Sequence, residues 1–83
     1  MAIKLEKQDI KFQHKIGLRL TEVREATGKN KTEFAYELGL DKQAISRVEK
    51  GTGTSIYMIR KYCSFTGISL KKFFDSPLFD DVL

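Results

Sequence analysis

Apolar positions along this chain recur at helical spacing. Residues 1–8 have no strong pattern and read as a loose arm or a frayed lead-in. Beyond them Phe12, Ile16, Leu20 and Val23 follow at intervals of four, four and three, with Lys11, Lys15, Arg19, Glu22 and Glu25 elsewhere on the cylinder. A first helix is predicted over residues 10–27, with Gly28 as its stop. Asn30 opens a second through the capping-box pattern Asn-Lys-Thr-Glu, in which Glu33 reaches back to the Asn30 amide. Phe34, Ala35 and Leu38 form its apolar stripe, and Gly39 closes it. Only Gly39, Leu40 and Asp41 separate it from a third short helix, so the two must cross steeply.

That third helix lies within residues 41–51 and has two faces. With Lys42 at zero and about 100° per residue, Ser46, Lys50, Gln43 and Arg47 fall at roughly 40°, 80°, 100° and 140°. Ala44, Val48 and Ile45 fall near 200°, 240° and 300°, a small apolar side that must rest on something. Asp41 caps it, Leu40 staples onto Ile45, and Gly51 supplies a left-handed end. A fourth helix is expected over residues 55–66, with Ile56, Ile59, Cys63 and Tyr62 turned inward and Gly67 as its stop. A fifth follows over residues 70–74, capped by Ser69 and stapled by Ile68 onto Phe73, until Asp75-Ser76-Pro77 ends regular structure. Period-two alternation never occurs, so the fold class is all-α. The organisation predicted is a flexible arm at 1–9, a helical domain at 10–75 and an acidic, apolar tail at 76–83.

Composition narrows the function. The 83 residues allow one modest core. Cys63 is the only cysteine, so no intramolecular disulfide can form; a reducing cytoplasm is the expected home, and the thiol reads as buried and structural rather than nucleophilic. The net charge is +4, but Asp75, Asp80 and Asp81 all lie in the last nine residues. Residues 1–74 set fifteen bases against eight acids, an excess of +7 that favours a polyanionic partner. No apolar run is long enough to cross a bilayer, and the N-terminus lacks the features of a secretion signal. His14 is the only histidine, and no spaced set of Cys, His and carboxylates suggests a catalytic or metal site. Neither an enzyme nor a cofactor is expected.

The polar side of the third helix carries Lys42, Gln43, Ser46, Arg47 and Lys50 and no acid. Such a face has the chemistry to meet base edges and phosphates; the competing reading is a solvated surface helix. Neighbouring residues favour the first. In order and spacing, residues 16–74 resemble the helix-turn-helix domain of phage repressors and Cro proteins, the XRE-like family. Arg24, the Phe34-Ala35 pair with Gly39, the run Ile45-Ser46-Arg47-Val48-Glu49-Lys50-Gly51 and the later Gly67-Ile68-Ser69-Leu70 carry the likeness.

The resemblance implies a five-helix, lambda-repressor-like domain with the helix-turn-helix formed by helices 2 and 3. It implies an ion pair between Arg24 and Glu49, and base reading by Lys42, Gln43, Ser46 and Arg47, with Lys50 placed for phosphate. Asn30, Lys31 and Thr32 present N–H groups and the positive end of a helix dipole to the backbone. Two departures stand out. Lys31 replaces a frequent Gln, and the loop Thr52, Gly53, Thr54 lacks the usual Asn, Arg or Lys and the Pro before helix 4. The hydroxyls of Thr52, Thr54 and Ser55 remain candidate phosphate contacts, and Lys29 and Lys61 candidate substitutes for the missing charge.

In similar proteins the last helices form the dimer. The aromatic cluster Phe65, Phe73, Phe74 and Phe79, with Leu78, suggests a homodimer or a protein partner, although Phe65 and Phe73 also read as core. The tail is left three fates: disorder, docking on its own domain, or a partner. Two functions remain open. One is a sequence-specific regulator of transcription acting on double-stranded DNA, as a repressor or a controller of its own operon. The other is a protein-interaction module such as an antitoxin, with DNA binding secondary.

Overall fold

The computed structural model describes residues 4–83. The first helix, α1, spans Lys7–Glu25, starting earlier and ending sooner than its apolar spacing suggests. Its start is set by a local polar contact rather than by burial: the Glu6 N–H donates to Asp9 Oδ2 at 2.9 Å, satisfying a donor that would otherwise face solvent. Lys7, Gln8 and Asp9 therefore belong to the first helix and not to an arm. Residues 1–3, the remainder of the expected arm apart from 4–6, lie outside the described residues.

Four further helices follow: α2 at Lys31–Leu38, α3 at Lys42–Glu49, α4 at Ile56–Thr66 and α5 at Leu70–Phe74, with a 3₁₀ turn at Pro77–Phe79. No strand occurs among the described residues. The caps are those the sequence offers. Asn30, Asp41, Ser55 and Ser69 each accept from the backbone N–H three residues on, at 2.8 to 3.2 Å. Gly39 and Gly67 sit at φ 72° and 82°, where an L-residue is strained.

One core joins all five helices. Leu20 of α1, Phe34 of α2, Ile45 of α3, Tyr62 of α4 and Phe73 of α5 are fully buried. Each such side chain contributes about 1.5–3 kcal/mol of apolar transfer. Phe34 is its centre, with the Tyr62 ring 4.8 Å away and Phe65 edge-on at 5.4 Å. Phe65 itself stays 38% exposed and so lies at the rim rather than inside. Ile56 differs more sharply from expectation. It is 54% exposed, because the first turn of α4 projects past the core and only Ile59, Tyr62 and Cys63 reach inside.

Between α1 and the end of α3 the contact is backbone on backbone. A Cβ at Gly17 would fall 2.8 Å from the Gly51 nitrogen and inside the contact radius of the Glu49 carbonyl oxygen. Gly51, at φ 90°, abuts the Gln13 carbonyl in the same way. Two glycines facing each other let the helices meet more closely than any side chain would allow.

The C-terminal tail docks on its own domain. Phe79 packs against Phe12 at 6.2 Å and Phe74 at 5.4 Å between ring centroids, and Lys15 pairs with Asp81. Arg19 adds a second tie. Its Nε and Nη2 donate to the carbonyls of Phe73 and Lys72 at 2.7 and 3.0 Å, capping the end of α5 from the side of α1. The aromatic cluster is thus largely satisfied within the chain, although Phe74 keeps 37% exposure.

Candidate nucleic-acid interface

Three residues make the turn between α2 and α3. Gly39 adopts its left-handed φ, and the Leu40 N–H donates 2.8 Å to the Ala35 carbonyl, closing α2 while the chain reverses. Ala35, at 2% exposure, lies where α3 crosses; a larger side chain would push the helices apart. Asp41 then starts α3, and Ile45 and Val48 seat it on the core.

The outer side of α3 presents Lys42, Gln43, Arg47 and, just past its end, Lys50, all exposed, with Ser46 partly exposed among them. None of their side chains forms a hydrogen bond or ion pair within the described residues. The helix holds a single acid, Glu49, and it is withdrawn into the interior. Arg24 Nε donates to its Oε2 at 2.9 Å and Arg24 Nη2 to its Oε1 at 3.1 Å. The Thr21 hydroxyl lies 3.1 Å from Oε1 and 3.0 Å from the Gly17 carbonyl, one proton serving both. Tyr62 donates from its hydroxyl to Oε2 at 2.9 Å, and the third guanidinium nitrogen of Arg24 holds the Lys29 carbonyl at 2.9 Å.

A buried carboxylate is tolerated only when its lone pairs are met, and here three side chains from α1 and α4 meet them. The charge of Glu49 in turn marks its neighbours. Burial, then Glu49's charge, pushes the Tyr62 phenol far above its ordinary range, so it remains a donor. The hydrogen bond to Glu49 raises Arg24 despite the opposing effect of burial. Cys63 nearby is buried and its thiol is pushed up by desolvation, which suits a structural group rather than a nucleophile.

The residues named from sequence as phosphate contacts divide. Asn30, Lys31 and Thr32 stand together at the start of α2, but the Asn30 side chain and N–H are both engaged with Glu33. After α3, the Thr52 hydroxyl donates to the Arg47 carbonyl and the Thr54 hydroxyl to the Val48 carbonyl, each at 3.0 Å, while Ser55 Oγ caps α4. The two threonine hydroxyls therefore spend their protons closing α3, whereas Ser55 accepts at the start of α4 and donates to no group among the described residues. Lys29 pairs with Glu37 at 3.7 Å, whereas Lys61 is exposed and has no ion pair among the described residues.

Two contributors escaped the sequence reading. Gly17 offers no local signal except that a glycine inside an otherwise good helix needs a reason. Tyr62 was placed inward, yet its role as a donor to Glu49 depends on two helices meeting; a hydroxyl on an apolar stripe is the only hint.

A family model described as Helix-turn-helix (HTH_3) matches residues 20–73, well over half of the chain. No curated protein and no solved structure matches it.

Proposed function

Because the chain belongs to the HTH_3 helix-turn-helix family, a family of DNA-binding domains, we infer that it is a sequence-specific regulator of transcription that reads the major groove of double-stranded DNA with α3. The observation that carries this reading is the burial of Glu49. It leaves the outward face of α3 free of negative charge while Lys42, Gln43, Ser46 and Arg47 project from it. Gln43 suits an adenine edge and Arg47 or Lys42 a guanine edge. Lys50, Lys31 and Thr32 take phosphates, joined by the first-turn N–H groups of α2 and α4 rather than by the threonine hydroxyls. The regulator acts as a repressor or autoregulator in the cytoplasm.

A single domain of this size covers little DNA, so the working form is a homodimer on a roughly palindromic site. Its dimer face is smaller than the sequence suggested, since Phe73 is buried and Phe79 lies on Phe12 and Phe74. The same covering removes much of the surface that an antitoxin-like partner would hold. Selection of bound sequences from a random duplex pool tests the function: an enriched palindrome with half-sites about 10 base pairs apart is expected. A pool that stays random after repeated rounds would refute sequence-specific recognition.

A further inference from the structure

A groove of about 360 Å³ lies between α1, α4 and the end of α5, with Phe12, Ile16, Ile56, Ile59 and Phe74 as its apolar walls. Ile59 is buried and belongs to the core, but Ile56 is 54% exposed and Phe74 is open at the same place. Leu70, one turn before Phe74 on α5, is exposed as well. Among the described residues none beyond Phe74 lines the groove, so the docked tail leaves it uncovered.

Position and charge point to one occupant. Thr54 and Ser55 form the rim nearest α3, and the Thr54 hydroxyl is bonded to the Val48 carbonyl at 3.0 Å, so the groove opens beside the exit of the reading helix. The domain measures 33 × 26 × 19 Å along its principal axes. Half-sites one helical turn apart set two copies about 34 Å centre to centre, close enough for neighbouring flanks to meet. Arg60 stands one turn beyond Ile56 and about 40° round the helix from it, and Asp75 follows Phe74 directly. Both are exposed, and neither has an ion pair among the described residues. A two-fold axis presents one patch to itself, and an apolar patch that carries one cation on α4 and one anion after α5 is complementary to its own copy.

We propose that this groove is the homodimer face, occupied by a second copy of the chain, with Ile56 and Phe74 at its centre and Arg60 paired to Asp75 of the partner subunit. This rests on the homodimer reading above and gives it a surface. Exposed ion pairs contribute little affinity, so the apolar walls hold the copies together and the charges set their register.

Sedimentation equilibrium of the full chain tests the face. The wild type is compared with Ile56→Asp, Arg60→Asp, Asp75→Arg and the double variant Arg60→Asp, Asp75→Arg. All three positions are exposed, and an Asp in the first turn of α4 and an Arg after α5 suit the helix dipoles, so the fold is kept, as circular dichroism would record. Ile56→Asp and each single charge reversal are expected to raise the dimer dissociation constant by about tenfold or more, and the double reversal to bring it back to within about threefold of the wild type. A dimer that every variant leaves unchanged overturns this face and spares the homodimer reading. Single reversals that weaken the dimer without rescue by the double variant overturn the pairing of Arg60 with Asp75. A wild type that stays monomeric at every concentration, alone and on its selected duplex, overturns the face and the homodimer together.

Discussion

Tyr62 of α4 and Arg24 of α1 donate to the same carboxylate oxygen, Glu49 Oε2, each at 2.9 Å. The end of α3 is therefore gripped from two sides by side chains that never reach its outer face. Tyr62→Phe removes one donor without changing volume and leaves the buried carboxylate short of a partner, at a cost of about 1–3 kcal/mol. Arg24→Ala leaves the carboxylate its two hydroxyl donors but takes away its countercharge, at about 3–5 kcal/mol. Urea denaturation of both variants checks the order; equal and negligible losses would mean that Glu49 is solvated in solution.

Exposed residues of α3 should behave in the opposite way. Gln43→Ala and Arg47→Ala are expected to leave folding unchanged and to weaken specific binding by about 1–3 kcal/mol each, with a much smaller loss on random DNA. Equal loss on cognate and random duplexes would assign these side chains to phosphate instead.

Gly17→Ala gives a test of sign. In an exposed helix interior, replacing Gly by Ala stabilises by about 0.5–1 kcal/mol. Here the new methyl meets the backbone of Glu49 and Gly51, so the variant should lose about 1–3 kcal/mol through overpacking. A raised melting temperature would show that α1 and α3 stand further apart.

Tail docking is checked by Phe79→Ala. Phe79 is only partly buried, so the loss should be about 1–2 kcal/mol, below the 3–5 kcal/mol of a fully buried Phe. The Lys15 partner holds the Asp81 carboxyl below its ordinary value. A carboxylate lowered in the folded state contributes above its unfolded pKa and loses that contribution as pH falls through the folded value. Asp81→Asn should therefore lower stability at neutral pH and above, match the wild type in strong acid and flatten the acid slope between them, as a denaturation series against pH would record. A neutral effect of both substitutions would detach the tail from the domain.

Much of the architecture was legible because it is local. The caps at Asn30, Asp41, Ser55 and Ser69 and the stops at Gly39, Gly51 and Gly67 each depend on a few adjacent residues, and the helices between them follow from apolar spacing. The outer face of α3 was legible for the same reason. Illegible features depend on distant parts of the chain meeting. The Gly17–Gly51 contact, the Tyr62 hydroxyl on Glu49 and the covering of Phe79 by Phe12 join α1 to residues more than thirty positions away or link separate helices. Thr52 and Thr54 misled differently: a hydroxyl is a plausible ligand for phosphate, but the unsatisfied carbonyls at the end of α3 were nearer.

No side chain on the outer face of α3 takes part in holding the molecule together, and every group that does lies behind it. Lettering and chassis are therefore separable. A library randomised at Lys42, Gln43, Ser46 and Arg47 should yield members that fold alike and differ in the DNA they address, so that new target sites are open to this scaffold without redesign of its interior.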